Sequence, residues 1–236
     1  MKDLNAGVHI SPNIQSDSEI YEIENLACDP ENKIEDFLES IFDWTGKKVL
    51  DIGCGTGFHL PYFSKKADHV FGLEPHDSSR LKALSRIYHL ELSNVSVLKG
   101  SAESVLLESD SIDFAIARFT YFWGAGSERG LEEVFRVLKP GGFFVTIDNN
   151  LDRGTFGSWV KESFSFSELK QAEIEKFWIE QGFAKETIDS SWVFDNHLDF
   201  EKVLKIEFPK TYQRILASHK GKSVDYTFNI FYKQKS

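Results

Sequence analysis

Residues 49–57 read VLDIGCGTG: an acid set in an apolar run, then glycines at 53, 55 and 57. A strand that runs into a tight glycine turn and then a helix lets backbone approach a ligand where no Cβ intrudes. Glycine also supplies the positive φ that such a turn uses. The dinucleotide fingerprint G-x-G-x-x-G requires glycine at its sixth position, and here that position is Phe58. An acid does follow: Glu74 ends a second apolar run 21 residues after Gly53. A carboxylate there can accept both hydroxyls of a ribose, in a dinucleotide or in another adenosine ligand. Asp51 discriminates between them. Two residues before the first glycine, its charge would repel a pyrophosphate and attract an ammonium group. The pattern suits an adenosine carrying a cationic amino-acid tail.

These residues need a scaffold that brings strand ends together. In residues 33–44, Ile34, Phe37, Leu38, Ile41 and Phe42 recur at helical spacing. KKVLDIG is a β-rich run that the glycines end, and FHLPYFSKK reads as a helix with Pro61 in its first turn. HVFGLEP is a second strand, and Asp77 is the expected N-cap of a helix on which Leu81, Leu84 and Tyr88 share a face. VSVLKG and SIDFAIARF are a third and a fourth strand. Leu131, Val134, Phe135 and Leu138 mark a helix that KPGG stops, and FFVTIDNN is a fifth strand. Beyond residue 150, LDRGTFGSWVKESFSF has no clean period. A helix over 167–181 capped by Ser167, a strand near 183–194, helices within 199–218 and a final strand VDYTFNIFYKQ complete the chain. Strands alternating with helices imply an α/β fold: a Rossmann-like, doubly wound sheet with helices on both faces and ligands at the carboxyl ends of its strands.

The 236 residues fit one such domain, and the 41% hydrophobic and 27% charged fractions are those of a globular protein. Two cysteines, Cys28 and Cys54, give no secreted disulfide framework. No apolar run reaches the roughly 20 residues of a membrane span, and the first residues lack a signal-peptide core, so a cytoplasmic protein is expected. A net charge of −10 disfavours nucleic acid as partner. No His/Cys/Asp cluster has metal-ligand spacing, and no metal is expected.

VLDIGCGTG resembles motif I of the class I S-adenosylmethionine-dependent methyltransferases, and VFGLEP resembles their acidic second motif. VLKGSAESVLLESDSIDFAIARF and LEEVFRVLKPGGFFVTID resemble the family's third-to-fourth-strand region and the turn before its fifth strand. The resemblance covers about residues 45–150. It implies a mostly parallel seven-stranded sheet with an antiparallel last strand. It further implies S-adenosyl-L-methionine as cofactor and S-adenosyl-L-homocysteine as product. Asp51, Gly53, Cys54, Gly55 and Gly57 would then shape the pocket for the methionine part, and Glu74 would hold the ribose. Pro75 and His76 would border the adenine; Ser101, Ala102 and Glu103 would meet its amino group; Arg118 and Phe119 would lie near the methionine end. Many relatives carry aspartate where this chain has Ser101, which puts that side-chain contact in question.

The acceptor is less legible. ARFTYFWG replaces the Asn/Asp-Pro-Pro-aromatic run of many nucleic-acid methylases, so a small-molecule acceptor, methylated on oxygen or nitrogen, is the leading expectation. His9, Tyr21, Tyr121 and Asp148 are candidates for catalytic duty, with His59 and His197 as further histidines and Trp123, Asn149 and Asn150 near the same strand ends. Phe119, Phe122 and Trp123 equally suit packing. The single domain divides into an N-terminal helical lid segment (1–44), a cofactor-binding core (45–150) and a substrate-side elaboration with the last two strands (151–236). Two alternatives remain open: a methyltransferase-like binding subunit without turnover, and a nicotinamide-dependent dehydrogenase.

Overall fold

The computed structural model describes residue 11 and residues 13–120, 124–163 and 170–236. Helices α1 (Ser18–Ala27) and α2 (Lys33–Ile41) precede β1 (Lys48–Ile52), α3 (Leu60–Ser64), β2 (His69–Leu73), α4 (Asp77–His89), β3 (Val95–Leu98) and β4 (Ile112–Arg118). Then follow α5 (Glu128–Val137), β5 (Leu138–Asn149), α6 (Gly154–Ser163), α7 (Gln171–Glu180), β6 (Ala184–Val193), α8 (His197–Glu207), α9 (Tyr212–Ser218) and β7 (Ser223–Gln234).

The seven strands form one sheet in the order β3-β2-β1-β4-β5-β7-β6. The first five are parallel, and β7 runs antiparallel to both β5 and β6. This is the mixed, Rossmann-like sheet expected from the sequence. Its central strands are covered on both faces, which is why they read as continuous apolar runs rather than alternating ones. Val49, Leu50 and Ile52 of β1 and Phe114 to Ala117 of β4 are wholly buried. Helix α2 turns Ile34 and Leu38 inward. Beyond it, the Trp44 ring packs 5.4 Å from Phe63 and 5.7 Å from Phe114. Burying a side chain of this size stabilises the fold by about 2–3 kcal/mol.

Several elements depart from the sequence expectations for local reasons. Asp77 is the first residue of α4 and not its cap. The cap position is His76, which makes no side-chain cap bond, while the Asp77 carboxylate pairs with Arg80 and Lys99. The Leu81–Leu84–Tyr88 stripe does not form the buried face: Leu81 and Tyr88 are 61% and 79% exposed, and Ser79 and Ala83 point inward instead. Only small residues fit there, because α4 packs on the glycine turn; a Cβ at Gly57 would lie 3.0 Å from that of Ala83. Lys139–Gly142 loop out between two pairs of the β4–β5 ladder, Ile112 with Leu138 and Phe114 with Phe143. The aperiodic stretch after residue 150 forms α6, which buries Phe156, Trp159 and Val160. Helix α7 has Lys170 at its cap position, and Ser167 lies outside the described residues. No helix among the described residues is long and apolar enough to cross a membrane.

Strands β1 and β4 are neighbours, yet the chain leaves β1 toward β2 and leaves β4 toward β5. The carboxyl ends of this pair therefore open a crevice at the point where the strand order reverses.

Candidate active site

The glycine turn begins where β1 ends. Gly53 and Cys54 donate their N–H groups to the Leu73 carbonyl at 2.8 and 3.0 Å, which seats the turn on the end of β2. Gly53 has φ +72°, and a Cβ there would lie 2.5 Å from Thr120 Oγ1. That hydroxyl is fixed in turn, donating toward the carbonyls of Ile52 and Arg118 at 2.9 and 3.1 Å. Only glycine fits between the β1 turn and the β4 end. The thiol of Cys54 faces Gly72 of β2, so this residue lends the crevice its backbone alone.

Glu74 is buried at the end of β2. One carboxylate oxygen accepts the Gly55 N–H and the other the His76 N–H, both at 2.9 Å. These bonds lock the acid between the glycine turn and the start of α4. Burial raises its pKa, and the two N–H donors work against that rise. Asp51 is only 4% exposed, and no hydrogen bond to its carboxylate is found among the described residues. Burial pushes its pKa up to about 7, against the pull of the Arg118 guanidinium and with the neighbouring Glu74 adding to the rise. A buried carboxylate without a donor is costly, and a cationic partner would relieve it. Ser101 and Ala102 are buried after β3, and Glu103 is half-buried beside them.

Arg118 ends β4, donating to Glu35 of α2 at 2.7 Å, and Phe119 follows with φ +54°. A phenylalanine in the left-handed region is strained, and its place at the mouth of the crevice is where such strain tends to be kept.

Residues 49–142 match the family described as Methyltransferase domain. The uncharacterized methyltransferase YcgJ of Bacillus subtilis is 28% identical over 164 residues, 57% of this chain and 65% of its own length. Its crystal structure superposes with a TM-score of 0.64 over 87% of this chain and 98% of that one, at 16% identity. The demethylmenaquinone methyltransferase of Listeria welshimeri is 24% identical, over 68% of this chain and 66% of its own. A SAM-dependent methyltransferase from Aquifex aeolicus shares the fold with a TM-score of 0.59 over 90% of this chain and 97% of that one, at 22% identity. Residues 49–142 thus match a methyltransferase domain, and the chain as a whole has the fold of S-adenosylmethionine-dependent methyltransferases. It spans just under two thirds of the length of these two curated relatives.

The family's cofactor fits the residues present. The turn admits no Cβ at Gly53, Asp51 offers an unmet carboxylate that suits an ammonium group, and Glu74 is held at the end of β2 as an acceptor that suits ribose hydroxyls. Asp51, Gly53, Cys54, Gly55, Gly57, Glu74, Pro75, His76, Ser101, Ala102, Glu103, Arg118 and Phe119 all stand at or just beyond the carboxyl ends of β1 to β4.

The acceptor-side candidates divide. His9 and Tyr121 lie outside the described residues, as do Phe122 and Trp123. Tyr21 is on α1, half-buried. Asp148 is buried at the end of β5, its Oδ1 taking the Asn149 N–H at 2.8 Å. His59 sits beside Glu35, 3.9 Å away, and burial with the charges of Arg118 and Arg86 drives its pKa well below the usual histidine range. It is a neutral imidazole at physiological pH. His197 is exposed at the start of α8, its ring packed near Phe200.

Other residues around the glycine turn escaped the sequence pattern. Glu22 of α1 accepts from Thr56 Oγ1 and from Arg86 Nη2, both at 2.5 Å, and Arg86 Nε donates to the Thr56 carbonyl at 3.1 Å. Ile14 reaches over the turn, with its Cδ1 2.8 Å from where a Gly55 Cβ would stand. Tyr21 and Glu24 stand three residues apart on α1, and Cys28 is its C-cap. A separate cleft of about 360 Å³ between Ile14–Glu19 and Ser78, Ser79 and Lys82 of α4 contains none of the cofactor candidates. The strand-end crevice, which gathers those candidates, is the site the chemistry favours. Among the described residues, no three His, Cys, Asp or Glu side chains are grouped to hold a metal ion.

Proposed function

We propose that this chain transfers a methyl group from S-adenosylmethionine to an oxygen or nitrogen of a small molecule. The observation that carries the reading is Asp51, a buried carboxylate without a hydrogen-bond donor, set between the glycine turn and the Arg118 end of β4. It suits the ammonium of the donor's amino-acid tail, while Glu74 suits the ribose hydroxyls.

The donor, when bound, supplies a methyl group already activated on a sulfonium sulfur, so the protein's part is alignment and the exclusion of water. Asp51 and the glycine turn fix the tail, Glu74 and its two N–H anchors fix the sugar, and Ser101 to Glu103 border the base. Residues 1–44 act as a lid, with the Glu22 contacts closing α1 onto the turn. Residues 45–150 are the cofactor core and 151–236 the acceptor wall, all in one domain. The net charge of −10 favours a small-molecule acceptor over nucleic acid, in the cytoplasm.

Calorimetric titration tests the proposal. S-adenosylmethionine and S-adenosylhomocysteine should each bind at micromolar levels, and Glu74→Ala should weaken both. If neither ligand binds the wild-type chain, the reading fails.

A further inference from the structure

The register of the sheet sets an acid and a base near each other without joining them. Asp51 of β1 lies opposite Ile116 of β4 and opposite Gly72 of β2. Alternation along the strands places Arg118 and Glu74, each two residues further on, on the same face as Asp51. One strand and two residues separate Asp51 from Arg118, roughly 8 Å between their Cα atoms. The Thr120 hydroxyl bridges the carbonyls of Ile52 and Arg118 at 2.9 and 3.1 Å, so the ends of these two strands are tied at a fixed spacing. No ion pair forms between Asp51 and Arg118. Arg118 Nη2 instead donates to Glu35 of α2 at 2.7 Å.

Each member of the pair keeps an unmet group. The Arg118 side chain is only 12% exposed, and its Nε is buried with no hydrogen-bond partner among the described residues. Asp51 is buried, its carboxylate without a donor. An unmet donor on a buried guanidinium and an unmet buried carboxylate are both costly. His59, 3.9 Å from Glu35, is neutral and adds no charge. A lone cation would answer Asp51 and leave the Arg118 donor unmet, and an anion would do the reverse. A ligand that carries both charges on neighbouring atoms meets both at once.

We infer that Arg118 Nε receives the carboxylate of the donor's amino-acid tail while Asp51 receives its ammonium, so that the site selects a complete α-amino acid. This rests on the methyltransferase reading above and names the residue that sets donor specificity. A guanidinium presents its N–H groups along more than one edge and can bridge two carboxylates. Glu35 takes an Nη2 bond and is a positioning residue, holding the planar group in one orientation; Nε is left for the ligand. Discrimination of this kind is steep, because a tail that lacks the carboxylate leaves a buried donor unpaired in the complex. The site therefore rejects an adenosine thioether whose tail ends in an amine alone, although that compound keeps the ribose and the ammonium.

The test titrates the full chain, by calorimetry, with S-adenosylhomocysteine, with its decarboxylated analogue and with its carboxamide, in which an uncharged group of equal shape replaces the carboxylate. The wild type should bind S-adenosylhomocysteine tenfold or more tighter than either analogue. Arg118→Gln should weaken S-adenosylhomocysteine tenfold or more and the decarboxylated analogue less than threefold, which also reports that the variant has folded. Should the variant not fold, the wild-type comparison of acid with carboxamide decides. Equal binding of acid and carboxamide by the wild type would overturn the inference. So would a folded Arg118→Gln that keeps the preference, or one that weakens all three ligands alike, as a purely structural role would. Failure of S-adenosylhomocysteine to bind the wild type would overturn the methyltransferase reading with it, whereas tight binding without preference for the carboxylate overturns this inference alone.

Discussion

The glycine-turn site and the seam where α1 meets α8 are built from different materials. At the turn, residues 53–57 and the Glu74 carboxylate are held by bonds to main-chain groups within one short stretch, from Gly53 to His76. Around the seam, Asn13, Glu24, Asn149, Glu207 and Tyr226 come from five separate elements or loops, and side chains make the contacts. A site made of backbone tolerates few sequences, because a turn with φ above zero and no room for a Cβ leaves glycine as the fitting residue. A region made of side chains on a shared scaffold can change one residue at a time. Substitutions at the turn should therefore remove donor binding outright, and those at the seam should leave it largely intact.

The largest effect is expected from Gly53→Ala. The added methyl would meet Thr120 Oγ1 at 2.5 Å while the residue keeps φ +72°. Overpacking and left-handed backbone together cost about 2–4 kcal/mol, so S-adenosylhomocysteine affinity should fall roughly 30- to 1000-fold by calorimetry. Removing the obstruction with Thr120→Ala in the same chain should restore part of that loss. A Gly53→Ala variant that binds as the wild type does would break the claim that the donor side is fixed by backbone.

The second effect is a pH dependence carried by Asp51. Its folded pKa of about 7 lies far above that of a free aspartate, so the apo protein at pH 6 holds it mostly protonated. Binding an ammonium favours the charged form. Donor affinity should therefore rise with pH up to about 7 and level off above it, falling by up to about tenfold for each pH unit below. Asp51→Asn should bind more weakly and flatten this slope. A wild-type profile already flat between pH 5 and 8 would show that the carboxylate does not meet the tail.

The contrast between the two regions also explains how far the sequence could be read. Gly53, Gly55, Gly57 and Glu74 were legible because their chemistry needs particular residue types at fixed spacing along one βαβ unit. The parallel α/β architecture followed from alternation, and the buried Ile34, Leu38, Leu131 and Val134 from apolar spacing. Glu24 and Glu207 were not legible. They stand 183 positions apart in the sequence, and only the docking of α1 against α8 makes them neighbours. Helix α4 misled for the opposite reason. Its Leu81 and Tyr88 have the spacing of a core face, but the glycine turn leaves room only for Ser79 and Ala83. The turn thus decides which face of its own following helix is buried, a tertiary effect that apolar periodicity does not carry.

Glu207 gives a smaller effect, read in stability and not in donor binding. Its folded pKa of about 7 is raised from the usual glutamate value. The stability this represents is present at pH 4 and is lost as pH rises through 7. Wild-type thermal stability should fall between pH 5 and 8 by about 1–3 kcal/mol more than that of Glu207→Gln. Equal slopes would mean that Glu207 is not held protonated in the folded chain, and that the seam carries no uncompensated acid.

The smallest effect concerns the helix that joins both regions. Glu22 ties α1 to Thr56 and Arg86 beside the glycine turn, while Glu24 on the same helix shares Asn13 with Glu207 of α8. The Glu22 ion pair with Arg86 is about a quarter exposed on each side, so Glu22→Gln should cost only about 1 kcal/mol. That corresponds to a donor affinity roughly fivefold lower. The informative quantity is whether the change spreads. If α1 moves as one body, Glu22→Gln should also speed amide hydrogen exchange where α1 packs on α8, although Glu24 and Glu207 are intact. If exchange there stays constant while donor affinity falls, the two regions respond independently.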